Sequence, residues 1–106
     1  MTIPQISVFL ENKAGQLADI TNILSDNQVN MRAINIAETA DYGVLRLIVD
    51  DAAKASSILL EQGFILTMTP VVGVAVPDTP GGLSKVLGVI SCAGMEVEYM
   101  YSVFGQ

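Results

Sequence analysis

Residues 6–24 read ISVFLENKAGQLADITNIL, and this stretch decides the fold. Ile6, Val8 and Leu10 alternate with Ser7 and Phe9, the period of a strand with one buried face. Glu11-Asn12-Lys13-Ala14-Gly15-Gln16 is a polar loop that carries a glycine. Leu17, Ile20, Ile23 and Leu24 then recur at three- and four-residue spacing, which is one stripe of a helix. A half-buried strand feeding an amphipathic helix is the start of a unit that lays helices on a sheet.

Further along, the helix is predicted to end near Asn27, and residues 31–37 read as a second strand. Asp41-Tyr42-Gly43 has turn chemistry, and the apolar run 44–49 is a third strand. Asp50 or Asp51 is placed to cap a helix over 52–62 by accepting free N–H groups of its first turn, and Gly63 supplies a left-handed stop. Residues 64–69 form a fourth strand, with Pro70 as its boundary. The order βαββαβ predicts an α+β, ferredoxin-like unit: an antiparallel sheet with both helices on one face.

The pattern then restarts. Sliding the chain by 66 positions sets Val8 on Val74, Gly15 on Gly81, Leu17 on Leu83 and Ser25 on Ser91. Apolar positions follow in register: Ile20 on Val86, Ile23 on Val89, Leu24 on Ile90, Met31 on Val97. The expected organisation is one complete unit over 1–70 and a partial second copy, βαβ, over 71–106. In this topology the third strand lies between the first and second, so the second copy as written carries unpaired strand edges. The missing strand is expected from residues beyond 106, with another chain as the alternative.

Composition narrows the function. The chain has 106 residues, 51% of them hydrophobic and 15% charged, with a formal net charge of −6. Five basic residues without a cluster argue against nucleic acid, which requires Lys and Arg to displace phosphate counterions, and against an anionic membrane surface. No apolar run reaches membrane-spanning length. The first residues lack the basic and apolar parts of a secretion signal, and one cysteine, Cys92, forms no internal disulfide; the expectation is a cytoplasmic protein. Histidine is absent, so no metal and no cofactor are expected. Cys92 reads as a small core residue, and Gly88 as a close approach of another element to the second-copy helix. Tyr99 and Tyr101 read as packing against a helix or a partner chain.

Two loops are candidates for binding. Copy one offers Asn12, Lys13, Ala14, Gly15, Gln16 and Leu17; copy two offers Asp78, Pro80, Gly81, Gly82 and Leu83. A helix start has free N–H groups and partial positive charge, and suits a ligand carboxylate. Asn12 both donates and accepts, whereas an ionised Asp78 only accepts and suits an ammonium. The plain alternative is that Asn12 and Asp78 are turn residues and the glycines serve backbone geometry alone.

The string from Val8 to Leu17, followed by Gln28-Val29-Asn30-Met31, resembles the ACT domain. Members typically show an Asn or Asp, two variable residues, then Gly and an aliphatic residue opening the first helix. A Val-Asn-Ile-like step begins their second strand. Copy two is similar through Asp78-Thr79-Pro80-Gly81-Gly82-Leu83, and small proteins of two ACT units share the layout, including the Tyr99-Met100-Tyr101 segment. The resemblance implies regulation by a small ligand, most often an amino acid, bound where domains pair. In members that bind serine, an Asn in the first loop and one at the start of the second strand touch the ligand. Those positions match Asn12 and Asn30, with Met31 beside them; in copy two they are Asp78 and Glu96. An equivalent second site is therefore acidic, and a ligand carboxylate there needs a cation such as Lys85 to offset it. Ala14 stands where a proline is common.

Three classes of function follow: a ligand-sensing module, an assembly module that serves as a regulatory subunit without its own ligand, and an enzyme. The last is the weakest, because acylphosphatase-type chemistry on this fold needs an Arg in the phosphate loop and neither first loop has one. A homodimer with extended sheets is expected.

Overall fold

The computed structural model describes residues 1–11, 15–38 and 42–103. Six elements build the first copy: β1 (Thr2–Glu11), α1 (Gln16–Asp26), β2 (Met31–Glu38), β3 (Tyr42–Val49), α2 (Ala52–Glu61) and β4 (Ile65–Val72). The sheet order is β2-β3-β1-β4, with every neighbouring pair antiparallel. This is the predicted α+β, ferredoxin-like arrangement.

Register explains the core. Ile6 stands opposite Leu47 and Val8 opposite Leu45, so four alternate residues of the two central strands point at the helices. They are fully buried with Ile20 and Leu24 of α1 and Ala55 and Leu59 of α2. Each large aliphatic side chain removed from water in this way stabilises the fold by about 1.5–3 kcal/mol. Asp51, and not Asp50, caps α2: its carboxylate accepts from Lys54 N–H at 3.1 Å. Gly63 takes the left-handed conformation the stop requires, with φ 89°.

Pro70 is not a boundary. β4 runs through it to Val72, with Pro70 facing Pro4 across the ladder. β4 is an edge strand, where a missing N–H is tolerated.

Of the second copy, the helix forms as the repeat predicts: α3 spans Gly82–Cys92. Its two flanking segments carry no strand of their own among the described residues; Val71 and Val72 are taken up by β4. The reason is the one the topology supplies, since the strand that belongs between the two segments is absent from residues 71–103. Two expectations on α3 are corrected for the same reason. No residue of α3 is buried, Cys92 is exposed, and a Cβ on Gly88 meets nothing within 4 Å. Tyr99 and Tyr101 do not pack on a helix: they lie against Gln5 of β1, on the sheet face turned away from α1 and α2.

Candidate functional site

Both helix starts are built alike. Gly15 precedes α1 with φ 84° and ψ −7°; Gly81 precedes α3 with φ 83° and ψ −4°. Each carbonyl accepts the first intrahelical bond, from Asp19 N–H at 2.9 Å and from Lys85 N–H at 3.0 Å. A left-handed cap excludes most side chains at little cost to glycine, which explains the residue at both places. Neither helix has a side-chain cap at its N-terminus, and the first N–H of α3, that of Gly82, is taken by a backbone carbonyl.

Of the predicted site residues in copy one, Asn12, Lys13 and Ala14 lie outside the described residues. Gly15 is exposed, and Gln16 and Leu17 are half-buried. Leu17 leans on the core, and Gln16 Oε1 is buried with no hydrogen-bond partner among the described residues. In copy two, Asp78, Pro80, Gly81 and Leu83 are exposed and Gly82 is half-buried. Gly82 closes the loop tightly: its N–H donates to Thr79 O at 3.1 Å, and a Cβ there would collide with the Pro77 carbonyl oxygen.

Asn30 is held at the head of β2, where its N–H donates to Asp50 Oδ1 and its carbonyl accepts from Asp50 N–H, each at 3.1 Å. Met31 beside it packs against the core. This end of the sheet is the wrong one for a shared site within one unit. Met31 is level with Val49, whereas Glu11 is level with Tyr42, so α1 and the full length of β2 separate Gly15 from Asn30. That distance is on the order of 20 Å, several times the size of an amino acid. The structure therefore does not bring Gly15, at the start of α1, and Asn30 together inside one copy.

A second polar assembly escaped the sequence. Gln5 is 0% exposed, the fully buried polar side chain among the described residues. Its Nε2 donates to Tyr99 Oη at 2.9 Å, and Tyr101 O–H donates to its Oε1. Arg46 on β3 stands opposite Ser7 of β1 and Asn35 of β2. Its Nη1 donates to Asn35 Oδ1 at 3.1 Å, and its guanidinium carbon lies 3.8 Å from the Tyr99 ring centre. Burial first, and then the neighbouring Tyr99, push the Tyr101 phenol above its ordinary range, with Arg46 opposing. A shallow depression beside α1, lined by Asp19, Asn22, Asp26 and Gln62 among others, is open and carries no such construction. Among the described residues no helix is long and apolar enough to cross a membrane, and no group of three or more His, Cys, Asp or Glu residues is arranged to hold a metal ion.

Known proteins place this architecture. The sequence profile described as "ACT domain pair" matches residues 1–105. Protein BT0572 from Bacteroides thetaiotaomicron is 46% identical with a TM-score of 0.92, over 100% of this chain and 73% of that one. The ligand-free regulatory subunit of aspartate kinase from Thermus thermophilus shares the fold at 18% identity and a TM-score of 0.68, over 93% of this chain and 75% of that one. No curated protein matches the chain. A repeat with two glycine-capped helix starts, a β2-β3-β1-β4 sheet and the profile match agree: the chain belongs to the ACT domain pair family.

Proposed function

We propose that the protein is a non-catalytic regulatory module that binds a small ligand, an amino acid, at an interface between ACT units. The observation that carries this reading is the duplicated helix start, with Gly15 and Gly81 in the same left-handed geometry and no side-chain cap on either helix. Such a start binds a carboxylate through backbone donors alone. The separation of Asn30 from the first loop means that a ligand touching both sits between two copies, with the loop of one against the β2 head of the other. That reading makes the active form a homodimer joined through sheet or helix faces in the cytoplasm.

The assembly reading, a regulatory subunit of an amino-acid-metabolism enzyme with no ligand of its own, rests on a different observation. Ile34 and Ile36 on the edge strand β2 are 47% and 41% exposed, although they sit level with the buried Leu47 and Leu45. An apolar edge of this kind invites a partner strand.

Thermal unfolding against a panel of the twenty amino acids at millimolar concentration separates the two. A ligand present at about 100 times its dissociation constant adds roughly 2.7 kcal/mol, a shift of several degrees at this size. A selective shift that disappears in Asn12→Ala is the expected result. A flat panel, with self-association indifferent to added amino acids, favours assembly.

A further inference from the structure

The turns that leave α1 and α3 are the same. Gln28 N–H donates to Ser25 O at 3.0 Å and Val29 N–H to Leu24 O at 2.9 Å. At the matching positions, Gly94 N–H donates to Ser91 O at 3.0 Å and Met95 N–H to Ile90 O at 3.2 Å. Both turns take a left-handed residue, and after α3 it is a glycine, Gly94 at φ 75°. After α1 it is Gln28 at φ 59°, the non-glycine residue with positive φ among the described residues. A side chain disfavours that conformation, so glutamine is the less stable choice for this backbone. Core packing does not compensate, because Gln28 is exposed. The segment around it is nonetheless firmly held. Asn27 Nδ2 donates to Ile23 O at 2.8 Å, Val29 is buried, and Asp50 grips the Asn30 backbone through both its N–H and its carbonyl. Gln28 and Asn30, on either side of Val29, are two exposed carboxamide residues on a fixed backbone.

We infer, on the footing of the amino-acid sensor proposed above, that Gln28 is kept for its side chain: with Asn30 it receives the ammonium end of the ligand. The carbonyl oxygens of the two carboxamides accept from an ammonium, which has donors only. The surrounding charge has the matching sign. α1 ends at Asp26 with no basic residue in its last turn, and a helix end is itself partly negative. Asp50 adds a carboxylate at the head of β2. Asp26 and Asp50 outnumber Arg32, the basic residue nearest in sequence. The glycine-capped helix starts are the opposite pole, of partial positive charge, and suit the carboxylate. An amino acid between two copies of the chain is then oriented by its own charges, carboxylate toward a glycine start of one and ammonium toward Gln28 and Asn30 of the other. In the second repeat the two matching positions are Gly94 and Glu96, which lack both carboxamides. Ammonium binding of this kind is thus confined to the turn after α1.

Gln28→Gly tests the assignment, because relief of the turn and loss of a ligand contact move the protein in opposite directions. Thermal unfolding is followed for the parent chain and the variant, alone and with each of the twenty amino acids at millimolar concentration. Without ligand, Gln28→Gly is expected to unfold a few degrees higher, since glycine takes the left-handed turn freely. The amino acid that raises the parent midpoint is expected to bind the variant about tenfold more weakly, the effect of losing one hydrogen bond to a charged group. The N-acetylated form of that amino acid, which has no ammonium, is expected to leave the parent midpoint where it was. Equal affinity in variant and parent overturns the inference and leaves the sensor in place. So does a variant midpoint no higher than the parent's without ligand, because glutamine then suits the turn as well as glycine does. A full shift from the N-acetylated form overturns the assignment of the ammonium. A panel that is flat for the parent overturns the sensor and, with it, the role of Gln28.

Discussion

The two helix starts are superimposable in backbone angle, yet one helix is half of a core and the other buries no residue fully. Gly15 and Gly81 differ by one degree in φ, and α1 and α3 are each 11 residues long. α1 buries Ile20 and Leu24; α3 buries nothing. The difference lies in what surrounds them. A helix with its glycine cap is specified by residues within a few positions of one another, so copy two reproduces it. A strand is specified by its neighbour, and the neighbour of both second-copy strands is a third strand absent from residues 71–103. Local order therefore repeats with the sequence, while burial follows the sheet.

The largest consequence concerns the apolar stripe. Leu24 and Ile90 are repeat mates that lose the same number of carbons on truncation to alanine. Leu24→Ala is expected to cost about 2–5 kcal/mol in urea unfolding, because Leu24 is fully buried and its cavity cannot collapse. Ile90→Ala is expected to cost less than about 1 kcal/mol, the effect of a half-buried site. Equal losses would break the comparison, because they would mean that α3 is buried in solution by a surface from another molecule.

The caps give a smaller and sharper contrast. Alanine at a left-handed position costs about 1–2 kcal/mol wherever it is placed. Gly15→Ala is expected to lower the unfolding midpoint of the whole first copy, since α1 is part of its core. Gly81→Ala is expected to leave that midpoint alone and to reduce only the helical signal in far-ultraviolet circular dichroism. If both variants shift the midpoint together, α3 and the sheet unfold as one unit and the two regions are coupled more tightly than α3's exposure suggests.

Most of the first copy was legible because its signals are short-range. Ile6 and Val8 announce a strand by alternation, Ile20 and Leu24 a helix by spacing, and Gly63 a stop by its backbone freedom; each is found where its pattern puts it. Pro70 was misread because the rule that proline ends strands holds for central strands, and nothing in residues 64–72 says that β4 lies at an edge. Cys92 and Gly88 were misread because the reading took α3 to pack closely on another element, and among the described residues it buries no residue. Gln5 was invisible for a different reason. It is a polar residue in an alternating strand, and the groups that bury it lie 94 and 96 residues away. Of the proposed ligand site, sequence located both helix starts but not the distance between the first loop and Asn30, which depends on the antiparallel register of β2 on β3.

The smallest expected effect is the most specific to the join between the copies. Tyr101 is held neutral by burial, and Tyr99 beside it adds to the cost of ionising it, while Arg46 of β3 works the other way. Gln5, the remaining group against it, is uncharged but accepts the phenol proton, and a phenolate has none to offer. The folded value is therefore raised above the ordinary 10.0. A raised value means that folding favours the protonated form, so this contribution is complete below about pH 10 and is lost as pH climbs through the folded value. Attachment of the 97–103 segment is expected to weaken on the alkaline side only, with no change between pH 6 and 9 (a range well below about 10). Phenolate absorbance in a Tyr42→Phe background checks it: the late-ionising tyrosine should vanish in Tyr101→Phe and return to the ordinary range in Gln5→Leu. A late tyrosine that survives in Gln5→Leu would mean that Tyr101 stays buried without its partner. In that case ring packing on Arg46 and Tyr99, and not the carboxamide, joins the two copies.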